Sequence, residues 1–240
     1  MRQRFRADNF SLPCAFDTTQ SRRCGKPERW NQAYDSGQRR LHAIKYQIDQ
    51  KCSNYFYYKD LICCGETFEQ EQPKNIPKQD DTWAAIKILA TSILDPVRDH
   101  FGRVHLTYGL STPSLTSAIR KRARKNYKTP NICPSVDQHS GYELNRKGMP
   151  ICPDLGLACD FVCPDQSSDV VAEWVIQNCD FDKLYFYGAN RPLHVSIGPK
   201  NRKVVTLVRR INRKVTPKNG SGPELLYRVN IDPKLNFINQ

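Results

Sequence analysis

The feature that most constrains this sequence is the spacing of apolar residues between Trp83 and Val97. Trp83, Ile86, Leu89, Ala90, Ile93, Leu94 and Val97 recur at intervals of three and four, so an α-helix would gather them on one face. Asp80-Asp81-Thr82 stands just before them with residue types that cap a helix start. The pattern predicts a helix ending near Phe101-Gly102. Shorter apolar runs follow at Val104 to Tyr108, Leu155 to Val162, Leu184 to Tyr187, Leu193 to Ile197 and Val204 to Val208, and each reads as a strand. Two more helices are expected. One runs from Pro113 to Asn126 behind Ser111-Thr112, and the other runs from Ser167 or Ser168 through Val171, Trp174 and Val175 to Asn178. Helices and strands interleave and several strands are joined by short links, which implies an α+β fold with an antiparallel sheet and flanking helices.

The remaining segments read as additions to that domain. Residues 1–75 are expected to form an N-terminal extension with a helix from Gly37 to Cys52, followed by Tyr55-Phe56-Tyr57-Tyr58, an aromatic run suited to a strand packed on the main domain. Pro73 and Pro77 mark a linker, residues 76–205 the main domain, and residues 206–240 a basic C-terminal tail. A chain of 240 residues has room for one substantial core but hardly for two full domains. No stretch approaches the roughly 18 to 20 apolar residues of a membrane span. The N-terminus carries basic residues with no apolar segment behind them, so a cytoplasmic location with reduced thiols is expected. The 10 cysteines include no Cys-x-x-Cys pair, which argues against a cysteine zinc cluster.

The formal charge of +13 favours acidic partners, and part of it is concentrated. Arg120, Lys121, Arg122, Arg124 and Lys125 form one patch, and the stretch from Lys200 to Lys218 forms a second. Either could be a solvated face or a contact for nucleic acid or another polyanion.

A catalytic zinc takes three ligands from histidines and carboxylates and keeps a fourth position open. Of the 5 histidines, His42, His100 and His105 read as surface or packing residues. His139 and His194 stand in a more telling order: a strand ending in Thr107-Tyr108-Gly109, a helix opened by Thr112-Pro113, Gln138-His139, then Gly156-Leu157-Ala158-Cys159-Asp160, a helix, and Leu193-His194-Val195. From about residue 80 to 200 this order resembles the zinc D-alanyl-D-alanine carboxypeptidases of the hedgehog-type zinc-peptidase superfamily. Their pattern is a strand ending in Ser-Gly-Tyr-Arg-Ser-Pro, then Ser-x-His-x-x-Gly-x-Ala-x-Asp, then Trp-x-His-Val. The resemblance implies a zinc site made by His139, Asp160 and His194. It also implies a zinc-dependent hydrolase, a peptidase or amidase acting on a peptide or cell-wall-type substrate. Gly156 and Ala158 are expected to leave room beside Asp160 for metal and substrate.

The sequence departs from that pattern in three ways. Ser140 to Leu155 stands between the first histidine and the aspartate like an inserted loop. The family's acidic base, a few residues before the last histidine, has no counterpart between Tyr187 and Leu193; Glu143 is the best substitute, Asp182 the second, and Tyr187 a possible proton donor. The family's substrate-anchoring arginine is replaced by the stretch Leu110-Ser111-Thr112-Pro113, which leaves Arg191 as a source of positive charge. Two alternatives therefore stay open: a nucleic-acid-associated protein using the same fold, and a non-catalytic zinc-binding interaction module.

Overall fold

The computed structural model describes residues 48–212 and 224–231, and the expected helix from Gly37 to Cys52 lies mostly outside them. Two short helices come first, α1 (Tyr58–Ile62) and α2 (Glu66–Glu71). The aromatic run is therefore not a strand. Tyr57 makes one isolated bridge with Lys51, and Tyr58 opens α1. Its packing role holds, because Phe56, Tyr58, Leu61 and Ile62 are all buried in the main core. The described part of the expected extension, residues 48–75, thus packs into the core of the domain, and the stretch read as a linker is pinned rather than loose. Asn75, buried between Pro73 and Pro77, donates to the carbonyls of Ile62 and Leu110 at 2.7 Å each. It also accepts from the Thr112 N–H at 2.9 Å and the Thr112 hydroxyl at 2.8 Å.

The long apolar helix forms as predicted but has a local defect. Helix α3 (Asp80–Leu89) passes through a π-helical turn, Ala90–Leu94, into α4 (Asp95–Phe101). Pro96 explains the loosened turn, since it has no N–H to donate and its ring crowds the carbonyl four residues back. The helix start differs from expectation too. No side chain at its N-cap, Gln79, closes the first turn. Instead Oε1 of Glu143 accepts from the N–H groups of Lys78 (2.9 Å) and Gln79 (3.2 Å) and from the Thr82 hydroxyl (3.1 Å). A distant carboxylate thus serves the exposed N–H groups and the positive end of the helix dipole.

Strand β1 (His105–Tyr108) leads to α5 (Pro113–Lys125), then β2 (Leu157–Val162), α6 (Ser168–Asn178), β3 (Lys183–Phe186), β4 (Leu193–Ile197), β5 (Val204–Asn212) and β6 (Glu224–Ile231). The sheet order is β1-β2-β4-β3-β5-β6. Every neighbouring pair is antiparallel except β3 and β5, which run parallel, so the sheet is mixed where an antiparallel one was expected. The cause is topological: β4 already occupies one edge of β3, and after the turn at 198–203 the chain pairs with the other edge, running the same way as β3. Helix α3 packs across β2 and β4, and α6 packs on β3. The residues read as a basic tail supply most of β5 and the whole of β6.

The inserted segment is held by polar groups. Leu144 bridges Pro150 around a tight turn, and Gln138 at the segment's base donates to the Leu155 carbonyl and, at 2.9 Å, to Asp182. Asp182 is bound in turn by the backbone N–H and guanidinium of Arg202, while Asp154 takes Lys183 at 2.8 Å and Arg202 at 2.9 Å. Burial raises the pKa of both carboxyls, but their cationic partners outweigh it and hold Asp154 and Asp182 below the usual range.

Two outcomes follow from these contacts. Glu143→Ala leaves the N–H groups of Lys78 and Gln79 and the buried Thr82 hydroxyl without this acceptor and is expected to lower stability by about 2–3 kcal/mol in urea unfolding. Carboxyls with depressed folded-state pKa values give stability that is complete above the ordinary aspartate value of about 4 and is lost as the pH falls below it. Asp154→Asn should therefore flatten the loss of thermal stability measured across the acid range.

Candidate metal centre

The pairing of β2 with β4 sets Asp160 directly opposite His194, which puts both side chains on one face of the sheet. Oδ1 of Asp160 lies 2.8 Å from Nδ1 of His194. His139 comes from the loop after α5 rather than from a strand, and its Nε2 lies 3.3 Å from the same oxygen. Its ring is aimed from behind, since Nδ1 meets the Gly109 carbonyl at 2.8 Å. A carbonyl can only accept, so Nδ1 carries a proton and Nε2 is the nitrogen left facing the site. Gly109 is needed for this approach, because a Cβ there would lie 2.2 Å from the Leu61 carbonyl oxygen.

The row continues in both directions. Tyr108 pairs with Asp160 on one side, and Tyr185 pairs with His194 on the other. The Tyr185 ring stacks on His194 at 4.5 Å and 12°, and Tyr108 tilts over His139 at 4.4 Å. These two tyrosines were missed as site residues, although Tyr108 ends the strand that carries the resemblance.

Burial disfavours the His139 cation, but the Asp160 carboxylate beside it outweighs that and raises the imidazole pKa. Burial prevails at His194, where the pKa is lowered despite Asp160. Asp160 stays well below the usual carboxylate range, because the two imidazoles outweigh its own desolvation. Among the described residues, His139, Asp160 and His194 form the one group of possible ligands whose donor atoms all lie within 4.8 Å of one another. Two imidazoles and a carboxylate suit a metal ion. Nε2 of His194 is buried without a hydrogen-bond partner, so only His139 has the backing contact that usually orients a metal-binding imidazole.

The trio lies in a cavity of about 300 Å³ that Tyr108, Asp137, Tyr185, Tyr187, Arg191 and the loop 130–133 also line. Tyr187 and Arg191 thus line the same cavity as the trio. Glu143 and Asp182 do not, and both are engaged, Glu143 at the start of α3 and Asp182 with Arg202. The remaining carboxylate of the wall is Asp137, a residue that sequence reasoning passed over. It accepts from the backbone N–H of Cys133 at 2.9 Å and of His139 at 3.4 Å. Gly156 does not make room for a ligand. A Cβ there would lie 1.9 Å from the Ile197 carbonyl oxygen, so it serves the close passage of β4 instead.

Cys152, Cys159 and Cys163 stay out of the site's chemistry. Burial pushes the thiol of Cys163 up to about 11 and raises those of Cys152 and Cys159, which keeps all three protonated. No helix of the described residues is long and apolar enough to cross a membrane.

No protein-family model matches the chain, and no curated protein and no solved structure matches it either.

Elemental analysis of the purified protein should find close to one metal ion per chain. His139→Ala and His194→Ala should each remove most of it. A double variant that kept its full metal content would move the assignment to the thiols.

Proposed function

We propose that this chain is a zinc-dependent hydrolase of the D-Ala-D-Ala peptidase type, cleaving a peptide or amide bond. The observation that carries this reading is the convergence of the His139, Asp160 and His194 donor atoms in a cavity, in the chain order that the resemblance implies. Zinc bonds of about 2.0–2.1 Å at tetrahedral angles leave neighbouring donor atoms roughly 3.3 Å apart. The spacings of 2.8 and 3.3 Å around Asp160 Oδ1 need only a slight spreading to meet that figure.

Zinc held there would supply a Lewis acid beside the substrate carbonyl and bring the acidity of water towards neutrality. The chain's own groups do the rest. Arg191, exposed on the cavity wall, orients an anionic end of the substrate or offsets negative charge as it develops. The Tyr187 hydroxyl would give a proton to the leaving nitrogen and take back the one that the attacking water loses, so the tyrosine ends the cycle neutral. Tyr108 and Tyr185 hold the imidazoles in place by packing against them.

A second reading, a zinc site in a non-catalytic interaction module, is favoured by one observation. The acidic groups offered as bases are engaged elsewhere, and the Asp137 oxygens are turned to backbone N–H groups.

The two readings separate in a screen of the zinc-loaded protein against peptides ending in D-Ala-D-Ala and against acylated amino acids, followed by mass spectrometry. The hydrolase reading expects turnover that a chelator abolishes and added zinc restores, with Arg191→Ala and Tyr187→Phe each losing on the order of 10²-fold in kcat/KM. A protein with full zinc content that cleaves nothing in the panel supports the interaction module.

A further inference from the structure

Helix α5 exposes a basic face with no acid near it in sequence. Residues 100–136 contain no Asp or Glu, yet they hold Arg103, Arg120, Lys121, Arg122, Arg124, Lys125 and Lys128. Among the described residues Arg122 is neutralised by Glu66 at 2.6 Å, whereas no ion pair is found for Arg120, Lys121, Arg124 or Lys125, and all four are exposed. Basic groups in a last turn do offset the negative end of a helix, but that benefit fades within about a turn. It leaves Arg120 and Lys121 without a purpose. The residue that follows the helix is stranger still. Tyr127 has a positive φ of 53° and a relative exposure of 101%, so its ring covers no part of the protein. A large aromatic held fully in water beside Arg124, Lys125 and Lys128 is costly for solubility and useful for stacking.

From the exposed basic face and the projecting Tyr127 we infer that α5 is a docking surface for single-stranded nucleic acid. The cations follow the phosphates and the Tyr127 ring takes a base, the combination that binds single strands with little sequence preference. Tyr127 stands three residues before Pro130, where the loop 130–133 that lines the cavity begins. Anionic polymers without bases would satisfy the cations but leave the tyrosine unused. The surface is separate from the three metal ligands, so it stands whether or not the chain hydrolyses anything.

The test is fluorescence anisotropy of the full chain with a labelled oligothymidylate between about 50 and 200 mM salt, with inorganic polyphosphate as the base-free comparison. Replacing Arg120, Lys121, Arg124 and Lys125 with glutamine should weaken binding of both polymers and flatten the slope of log affinity against log salt by roughly 2–3 for the oligonucleotide, at about 0.7 per phosphate contact. Tyr127→Ser should weaken oligothymidylate binding about ten-fold, leave its salt slope unchanged and leave polyphosphate binding unaltered. These substitutions lie on exposed positions, and an unchanged circular-dichroism spectrum and melting temperature would show that the fold is intact. A quadruple variant with the same affinity and slope would make α5 an ordinary solvated face and overturn the proposal. So would a Tyr127→Ser protein that binds the oligonucleotide as before, since the partner would then be any polyanion. Repeating the measurement with chelated protein keeps this result independent of the zinc reading.

Discussion

The structure depends on keeping one carboxylate ionised beneath two imidazoles. Removing a carboxylate from water costs several kcal/mol unless nearby groups compensate, and the compensation works only with close and fixed geometry. The sheet supplies that geometry through its register: Tyr108, Asp160, His194 and Tyr185 occupy one row across β1, β2, β4 and β3. A shift of one residue in any of those pairings would turn a member of the row to the opposite face. The apolar stripe of α3, packed across β2 and β4, holds the two central strands in place from behind. Site and core are therefore fixed by the same set of pairings.

His139 is the one ligand that the sheet does not carry, and a second set of interactions makes up for it. Its backbone carbonyl accepts from Ser111 at 2.8 Å while its ring meets Gly109, so both the residue and its imidazole are tied to the segment that links β1 to α5. On the other side Gln138 is anchored to Leu155 and Asp182, and Glu143 is anchored to the start of α3. The inserted segment from Ser140 to Leu155 is thus fastened at its base and its middle. Within it Glu143 meets two backbone N–H groups and a hydroxyl, and Asp154 meets two cations, the kind of partner that burial of a carboxylate requires. A loop held this way can keep a ligand in position as firmly as a strand.

Much of this was legible in the sequence, for physical reasons that differ from residue to residue. The three-and-four spacing from Trp83 to Val97 left little choice but a helix, and the apolar runs at Leu157 and Leu193 could hardly be anything but buried strands. The trio His139, Asp160 and His194 was found by residue type and order, and the fold brings its donor atoms together. Glu143 shows where such reasoning stops. Its chemistry fits a base, but its surroundings, the N–H groups of Lys78 and Gln79, lie far away in sequence and could not be seen from composition. Pro96 was visible, but a stripe of seven apolar residues hid the break it causes. The strand at β5 was foreseen only to Val208 because Arg209 and Arg210 read as a tail. Basic residues are common in outlying strands, where charge discourages pairing with other chains.

The make-up of the cavity bears on what kind of chemistry it can serve. Apart from the trio, its polar wall carries three tyrosines, Arg191, Asn131, Cys133 and a single carboxylate whose oxygens face backbone N–H groups. Such a wall is rich in donors and poor in acceptors. Donors act on negative charge that develops away from the metal, whereas removal of a proton needs an acceptor within about 3 Å of it. Under the proposed hydrolase reading, such a wall would suit a reaction in which negative charge builds on the substrate, with the acidity of water supplied by the metal that His139, Asp160 and His194 would hold. Arg191 on the rim points the same way: the side chains of this wall are better placed to offset negative charge than to take up protons.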